Sequence, residues 1–342
     1  MSDVWLPRAP AHSKLSPTIS WDKADNKTTF LITKLLCCDQ TAVVERMDSS
    51  LPPPVGYYRI RQAPAVFVKV MASDLIEQQL FADEIASFLF KSDVNTNKLM
   101  PLSPYFSGDG KLGILTYPLV RGRFSGFTEG DMSLIGSEIG KMHKVLRSCP
   151  WKKEVEMKGM ERAQILDELL SDIRTGILKA GVPEGVLKIL KSADISDYKR
   201  LTSEAQVVHG DLNYGNIMIQ QSSGKAIIFD FEDTITAWFN PYMELAFVIE
   251  RFAITPDDEQ SIRLSQALIY SYFHENKCEN KTRFYLSSLL RGLSIKALLL
   301  LTKACVIGMS VSETEWDKFL FLYQQPQRRA ELFDRIDRKS VV

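Results

Sequence analysis

Apolar residues come in short blocks and alternations over the first third of the chain and recur at helical spacing over the rest. Residues 30–47, rich in Phe, Ile, Leu and Val around a turn at Asp39-Gln40, predict a strand pair that carries Cys37-Cys38. Residues 57–61 and 65–70 predict two more strands, joined by Gln62-Ala63-Pro64. A helix follows, because Leu80, Phe81, Ile85, Phe88 and Leu89 recur at helical spacing and Ser73 or Asp74 can cap it. Gly108-Asp109-Gly110 predicts a turn between strands at 104–106 and 112–117. Four or five antiparallel strands and one helix make a small lobe over 29–118, after a polar, proline-containing lead-in at 1–28.

The pattern changes at Tyr117-Pro118-Leu119-Val120-Arg121-Gly122, where we place a hinge. Thr128 and Asp131 form a capping arrangement for a helix through Leu134, Ile135, Ile139, Met142 and His143. Further helices are predicted over 159–180, 183–192, 240–254, 256–275, 279–308, 313–323 and 326–338, with a hairpin at 217–229 turning at Ser222-Ser223-Gly224. The apolar run from Ile295 to Met309 is interrupted by Lys296 and Lys303, so it reads as a buried helix and not a membrane span. The fold class is α+β, with a sheet-bearing lobe and a larger, mainly helical lobe over 119–342.

Chemistry concentrates in Val207-Val208-His209-Gly210-Asp211-Leu212-Asn213-Tyr214-Gly215-Asn216-Ile217-Met218-Ile219 and in Ala226-Ile227-Ile228-Phe229-Asp230-Phe231-Glu232. The first segment supplies an Asp and, five residues on, an Asn; the second ends an apolar strand on another Asp. Phosphoryl transfer from ATP uses such a set. One carboxylate orients the attacking hydroxyl, while an amide oxygen and a second carboxylate hold Mg²⁺. Asp211 is the candidate base, and Asn216 and Asp230 the candidate metal ligands. Glu232 is read equally as a support for them or as substrate-facing.

These segments resemble the aminoglycoside phosphotransferase and choline kinase superfamily, small-molecule kinases with a protein-kinase-like two-lobed fold. The His-Gly-Asp start and the Gly before Asn216 carry the resemblance, which is sharp over 205–247. It implies that His209 orders the loop. Asn213 departs from the pattern, which often has His there, and Glu244 in Met243-Glu244-Leu245-Ala246 departs from the usual Asp.

Lys69, in Phe67-Val68-Lys69-Val70, is placed for the α- and β-phosphates of ATP, since a lysine in a buried strand needs a counter-charge. Glu84 is the expected carboxylate partner on the next helix, with Glu77 in reserve. The region 47–56 has one Gly and three Pro in place of a glycine-rich phosphate loop, leaving Ser49 and Ser50 as candidate phosphate donors. Backbone groups from Tyr117 through Leu119 to Val120 are expected to meet the nucleotide base.

Only ten residues separate Asp230 from Pro241, too few for a peptide-docking platform, so a small alcohol is the expected acceptor. Aromatic Phe231, Trp238, Phe239, Tyr242 and Phe252 and acidic Glu250, Asp257 and Asp258 would suit an amino alcohol or amino sugar, although core packing accounts for most of them singly. The alternatives are a pseudokinase-type binding module and a protein kinase with an atypical acceptor segment. Lys+Arg and Asp+Glu both total 42, which argues against nucleic acid or an anionic membrane as partner. The five cysteines are sparse, with no C-x-x-C, and no secretory leader is expected of residues 1–28, so a cytoplasmic setting is expected.

Overall fold

The structure, a computed structural model, describes residues 20–38, 41–49, 51–61, 64–178, 181–277 and 284–339. In chain order the strands are β1 (Trp21–Lys23), β2 (Val44–Met47), β3 (Gly56–Ile60), β4 (Val66–Ala72), β5 (Tyr105–Phe106), β6 (Leu112–Pro118), β7 (Gly122–Arg123), β8 (Gln206–Val207), β9 (Ile217–Gln220), β10 (Ala226–Ile228) and β11 (Trp238–Phe239). The helices are α1 (Asn26–Leu35), α2 (Ile76–Lys91), α3 (Glu129–Leu146), α4 (Lys152–Thr175), α5 (Glu184–Ser192), α6 (Ile195–Lys199), α7 (Pro241–Val248), α8 (Asp258–Asn276), α9 (Leu286–Val306), α10 (Glu313–Arg328) and α11 (Ala330–Lys339). They fall into two compact units. One joins residues up to Phe124 with 218–232; the other holds 125–217 and the chain from Asp233 on.

The first unit is an antiparallel sheet of order β1-β2-β3-β4-β6-β5. Side chains alternate along β4, so Val68 and Val70 enter one core with Ile32, Tyr58 and Ile114. On the other face Met71 packs with Phe67, Ile76, Leu115 and Tyr117. Lys69 shares that second face, toward α2. The hairpin β9–β10 belongs to this unit: Gly122 and Arg123 of β7 pair with Gln220 and Ile219, and Ile228 donates its N–H to Asn95 O at 3.0 Å.

Several expectations fail in this unit. Residues 26–35 form a helix where half of a strand pair was expected, and β1 with the start of α1 occupies the end of the presumed lead-in. Asp25 explains the helix: its carboxylate accepts from Thr28 N at 2.8 Å and Thr28 Oγ1 at 2.6 Å, a cap worth about 1 kcal/mol. Ile32 is then fully buried against the sheet, adding roughly 1.5–3 kcal/mol. Cys37 and Cys38 lie past the end of this helix, with Cys37 exposed, and not on a strand; the turn at Asp39-Gln40 lies outside the described residues. α2 begins after a short turn at Ser73–Leu75 without a side-chain cap from Ser73 or Asp74.

The second unit is helical. Thr128 caps α3 by accepting from Asp131 N at 3.2 Å, and the Asp131 carboxylate takes Gly126 N at 2.7 Å. α9 is buried along most of its length, Lys296 included. Among the described residues no helix is long and apolar enough to cross a membrane. α7 continues into one wide turn at Ile249–Ala253, and α6 is a short helix that hydrophobic spacing did not reveal.

Candidate active site

The Asp211 loop is held from behind by paired backbone. Val207 pairs with Trp238 and Gln206 with Phe239, and Val208 N donates to Ala237 O at 3.1 Å. Gly210 has a φ of +95°, and a Cβ there would lie 2.9 Å from Asp233 Cβ and 3.0 Å from that of Ala237, so only glycine fits. Beneath the loop stands Glu244, 2% exposed. Its Oε2 accepts from His209 N at 3.0 Å and its Oε1 from Gly210 N at 2.5 Å. Oε2 also lies 2.8 Å from His143 Nε2. Burial works to raise the Glu244 pKa, but the hydrogen bond from His143, the electrostatic pull of the two histidines and the backbone N–H of His209 outweigh it and hold the group below the ordinary carboxylate range.

A chain of hydrogen bonds extends behind His143. Asn276 Nδ2 donates to Tyr272 Oη at 2.9 Å, and that hydroxyl lies 3.0 Å from His143 Nδ1. Held as a carboxylate, Glu244 accepts from a proton on His143 Nε2. Gln206 Nε2 donates to His143 O at 2.9 Å, tying α3 to the strand that enters the loop.

His209 is fully buried and accepts from Asp211 N at Nδ1, 3.2 Å, while Thr234 Oγ1 donates to its carbonyl at 2.9 Å. Asp211 Oδ2 accepts from Asn213 Nδ2 at 2.7 Å and from Asn216 Nδ2 at 3.3 Å. Asn216 Nδ2 also reaches Asp211 O at 2.9 Å, so Oδ1 is the atom it can offer a cation. Asn213 caps the turn Tyr214–Asn216 through Gly215 N at 2.7 Å. The departure at 213 thus orients the carboxylate next to it. Tyr214 donates to Arg251 O and packs its ring 4.4 Å from that of Phe252.

In the sheet unit Lys69 is 7% exposed and donates to Gln79 Oε1 at 2.8 Å. It pairs with Asp230 Oδ1 at 3.5 Å and contacts Glu232 Oε1. Burial opposes its charge, yet Asp230, Tyr57 and Asp83 together hold its pKa above the ordinary lysine value. Asp230 follows β10 with a φ of +63°, a left-handed conformation that Asp tolerates better than most residues and that marks a constrained position. Its side chain is 38% exposed.

The helix partner differs from the expected one. Glu84 and Glu77 are both exposed, and α2 turns Gln79 and Asp83 inward instead. One residue is a 100° rotation on a helix, so the neighbour of the expected acid takes the buried place. Asp83 Oδ2 accepts from Tyr117 Oη at 2.8 Å and Gln79 Nε2 at 3.4 Å. Burial nevertheless pushes its pKa up to about 6.

Leu119 N donates to Ala65 O at 3.0 Å, so that backbone donor is already engaged in the sheet. Ser50 lies outside the described residues. Ser49 Oγ is buried without a hydrogen-bond partner, as is Arg46 Nε beside it, a residue sequence reading did not single out. Both flank Gly56. Of the acceptor candidates, Phe231 and Phe239 are core residues and Glu250 pairs with Arg251 at 3.3 Å.

The phosphotransferase enzyme family model matches residues 133–278, which contain the whole Asp211 loop, Asp230 and Glu244. The resemblance to the aminoglycoside phosphotransferase and choline kinase superfamily holds. With it stands the class of enzyme, a phosphotransferase with an alcohol group as acceptor. Three solved structures share the protein-kinase-like fold. An aminoglycoside 2'-phosphotransferase-IIIa in complex with GDP is 15% identical, covers 90% of this chain and 100% of its own, and has a TM-score of 0.57. The choline kinase LicA from Streptococcus pneumoniae is 13% identical over 89% of this chain and 96% of its own, at a TM-score of 0.53. A spectinomycin phosphotransferase in complex with ADP and its antibiotic is 10% identical over 88% of this chain and 94% of its own, at 0.51. At these identities the likeness is one of fold. None of the curated proteins compared gives a significant match.

Proposed function

We propose that the protein is an ATP- and Mg²⁺-dependent kinase that phosphorylates a hydroxyl group of an amino alcohol, amino sugar or related small molecule. The observation that carries this reading is the Asp211 loop. Its carboxylate is aimed by two amides, and its backbone is gripped by a buried glutamate. A loop with no chemistry to perform has no need of a base so fixed. Asp211 orients the acceptor hydroxyl and takes its proton as the phosphoryl group departs from ATP.

Asp230 and Asn216 offer a carboxylate and an amide oxygen, the hard donors that Mg²⁺ takes alongside waters and phosphates. Asp230 already draws a cation, the Lys69 ammonium, which fits a position built for positive charge. When bound, the ion neutralises the phosphate oxygens. Lys69 exchanges its contact with Glu232 for nucleotide phosphate, while Gln79 keeps its hydrogen bond to the ammonium. Ser49 contributes a hydroxyl to the same phosphates, and Arg46 a guanidinium. The GDP and ADP in the solved relatives support nucleotide use here. The four described cysteines are free thiols, in keeping with a cytoplasmic setting.

The test is ADP release from Mg²⁺-ATP across amino alcohols, aminoglycosides, homoserine and sugars, with Asp211→Ala as the blank. A compound active with the wild type and silent with the blank supports the reading. Release that is equal in both, or absent for every compound and for a protein panel, sinks it.

A further inference from the structure

Lys296 has no part in the reaction described above, yet it stands buried in the middle of α9, 5% exposed, with Nζ 3.7 Å from the centre of the Phe239 ring. It lines a cavity of about 50 Å³ together with Arg162, Tyr198, Phe239 and the exposed Lys199 and Thr202. One ordered water needs only about 10–15 Å³ by such a measure, so there is room for several heavy atoms. Three of the lining side chains are basic, and the lining carboxylate, Asp167, is engaged by the Tyr198 hydroxyl.

We propose that this cavity binds a small anion, a carboxylate or a phosphate, between Lys296 and Arg162. Arg162 and Lys296 line the same cavity and repel, and an anion lying between them would offset that repulsion through charge-assisted hydrogen bonds. The groups bearing on Lys296 come from every side: Arg162 of α4 disfavours its charge, while Asp233, Glu244 of α7 and Asp211 favour it. Burial prevails over these carboxylates and lowers the Lys296 pKa to about 7, so a bound anion restores a charge that the fold alone holds weakly.

The site is also connected to the Asp211 loop. Arg162 Nη1 donates to Thr236 Oγ1 at 2.8 Å, and Phe239 pairs with Gln206. Segment 233–239 is the backing on which Gly210 rests. An occupant that touches Arg162 and Phe239 thus acts on the support of the loop, from a place that needs neither nucleotide nor acceptor.

Thermal unfolding of the full chain at pH 6.5 in inorganic phosphate or acetate, against chloride at matched ionic strength, tests the proposal. Phosphate could also reach the nucleotide-binding residues, so Lys69→Met is run beside Lys296→Met and Arg162→Gln. The expected result is a rise in Tm with phosphate, acetate or both for the wild type and Lys69→Met, with affinity roughly tenfold weaker in Lys296→Met and Arg162→Gln. The wild-type affinity falls as pH rises through about 7. No rise in the wild type overturns the proposal. So does a rise in Lys296→Met at the same anion concentration as in the wild type, or one that disappears in Lys69→Met. Should Lys296→Met not fold by circular dichroism, the same comparison in Arg162→Gln decides.

Discussion

The two halves of the catalytic equipment are held in different ways. Around Asp211 the partners are internal and fixed: Glu244 receives two backbone N–H groups and His143, and each link runs to a buried or half-buried protein group. Around Lys69 the partners are charges a ligand can replace, for Asp230 and Glu232 are each more than a third exposed, or close to it, at 38% and 34%. The first arrangement costs nothing to maintain when substrate arrives, because its electrostatics are preorganised. The second exchanges one set of ionic contacts for another. A loop that must aim an oxygen is built rigid, while a lysine that must accept phosphate is parked on carboxylates.

This contrast predicts the largest effect at Asp211. Asp211→Ala removes the aimed carboxylate and leaves Glu244 in place, so turnover falls about 10³-fold or more while nucleotide binding and Tm stay near wild type. Steady-state kinetics with a nucleotide-binding titration separate the two. Glu244→Ala does the reverse. It leaves His143 and two backbone donors unsatisfied in the core, and unfolding by urea should show a loss of about 3–5 kcal/mol. A Glu244→Ala protein as stable as wild type would contradict the fixed character assigned to that half.

Lys69→Met should weaken nucleotide binding about 10- to 100-fold, the worth of a charge-assisted contact. Its stability should change little, because Asp230 and Glu232 regain solvent when the ammonium is gone. A loss of stability larger than the loss of affinity would mean that Lys69 is structural, and the two halves alike.

What could be read from the sequence follows the same division. The Asp211 loop was legible because its chemistry lies within one short segment, His209 to Asn216, whose spacing is the signal. Its clamp was not. His143 and Tyr272 approach from helices 66 residues before His209 and 63 after it, and only the departure at Glu244 drew notice. In the sheet unit Lys69 was legible from strand–lysine–helix order, but its helix partners were not, since spacing fixes a helical face only to within a residue. The misread strand at 30–35 has a local cause. Phe30-Leu31-Ile32-Thr33 is a short apolar, β-prone run that reads as a buried strand, and the Asp25–Thr28 cap decides otherwise.

The smallest effects test the register of α2. Asp83 has its pKa raised to about 6 by burial, well above the usual carboxylate value of about 3.9. The folded state therefore holds a proton that the unfolded chain gives up, and stability falls as pH rises between about 4 and 6. Asp83→Asn removes that penalty while keeping an acceptor for the Tyr117 hydroxyl. It should match wild type near pH 4 and exceed it at pH 7 by no more than about 3 kcal/mol. Glu84→Gln, one residue along and exposed, should change stability by less than about 0.5 kcal/mol and leave nucleotide affinity untouched. If Glu84→Gln instead weakened nucleotide binding as Lys69→Met does, α2 would have to rotate by one residue when the nucleotide binds. The inward place of Asp83 would then belong to the resting enzyme only.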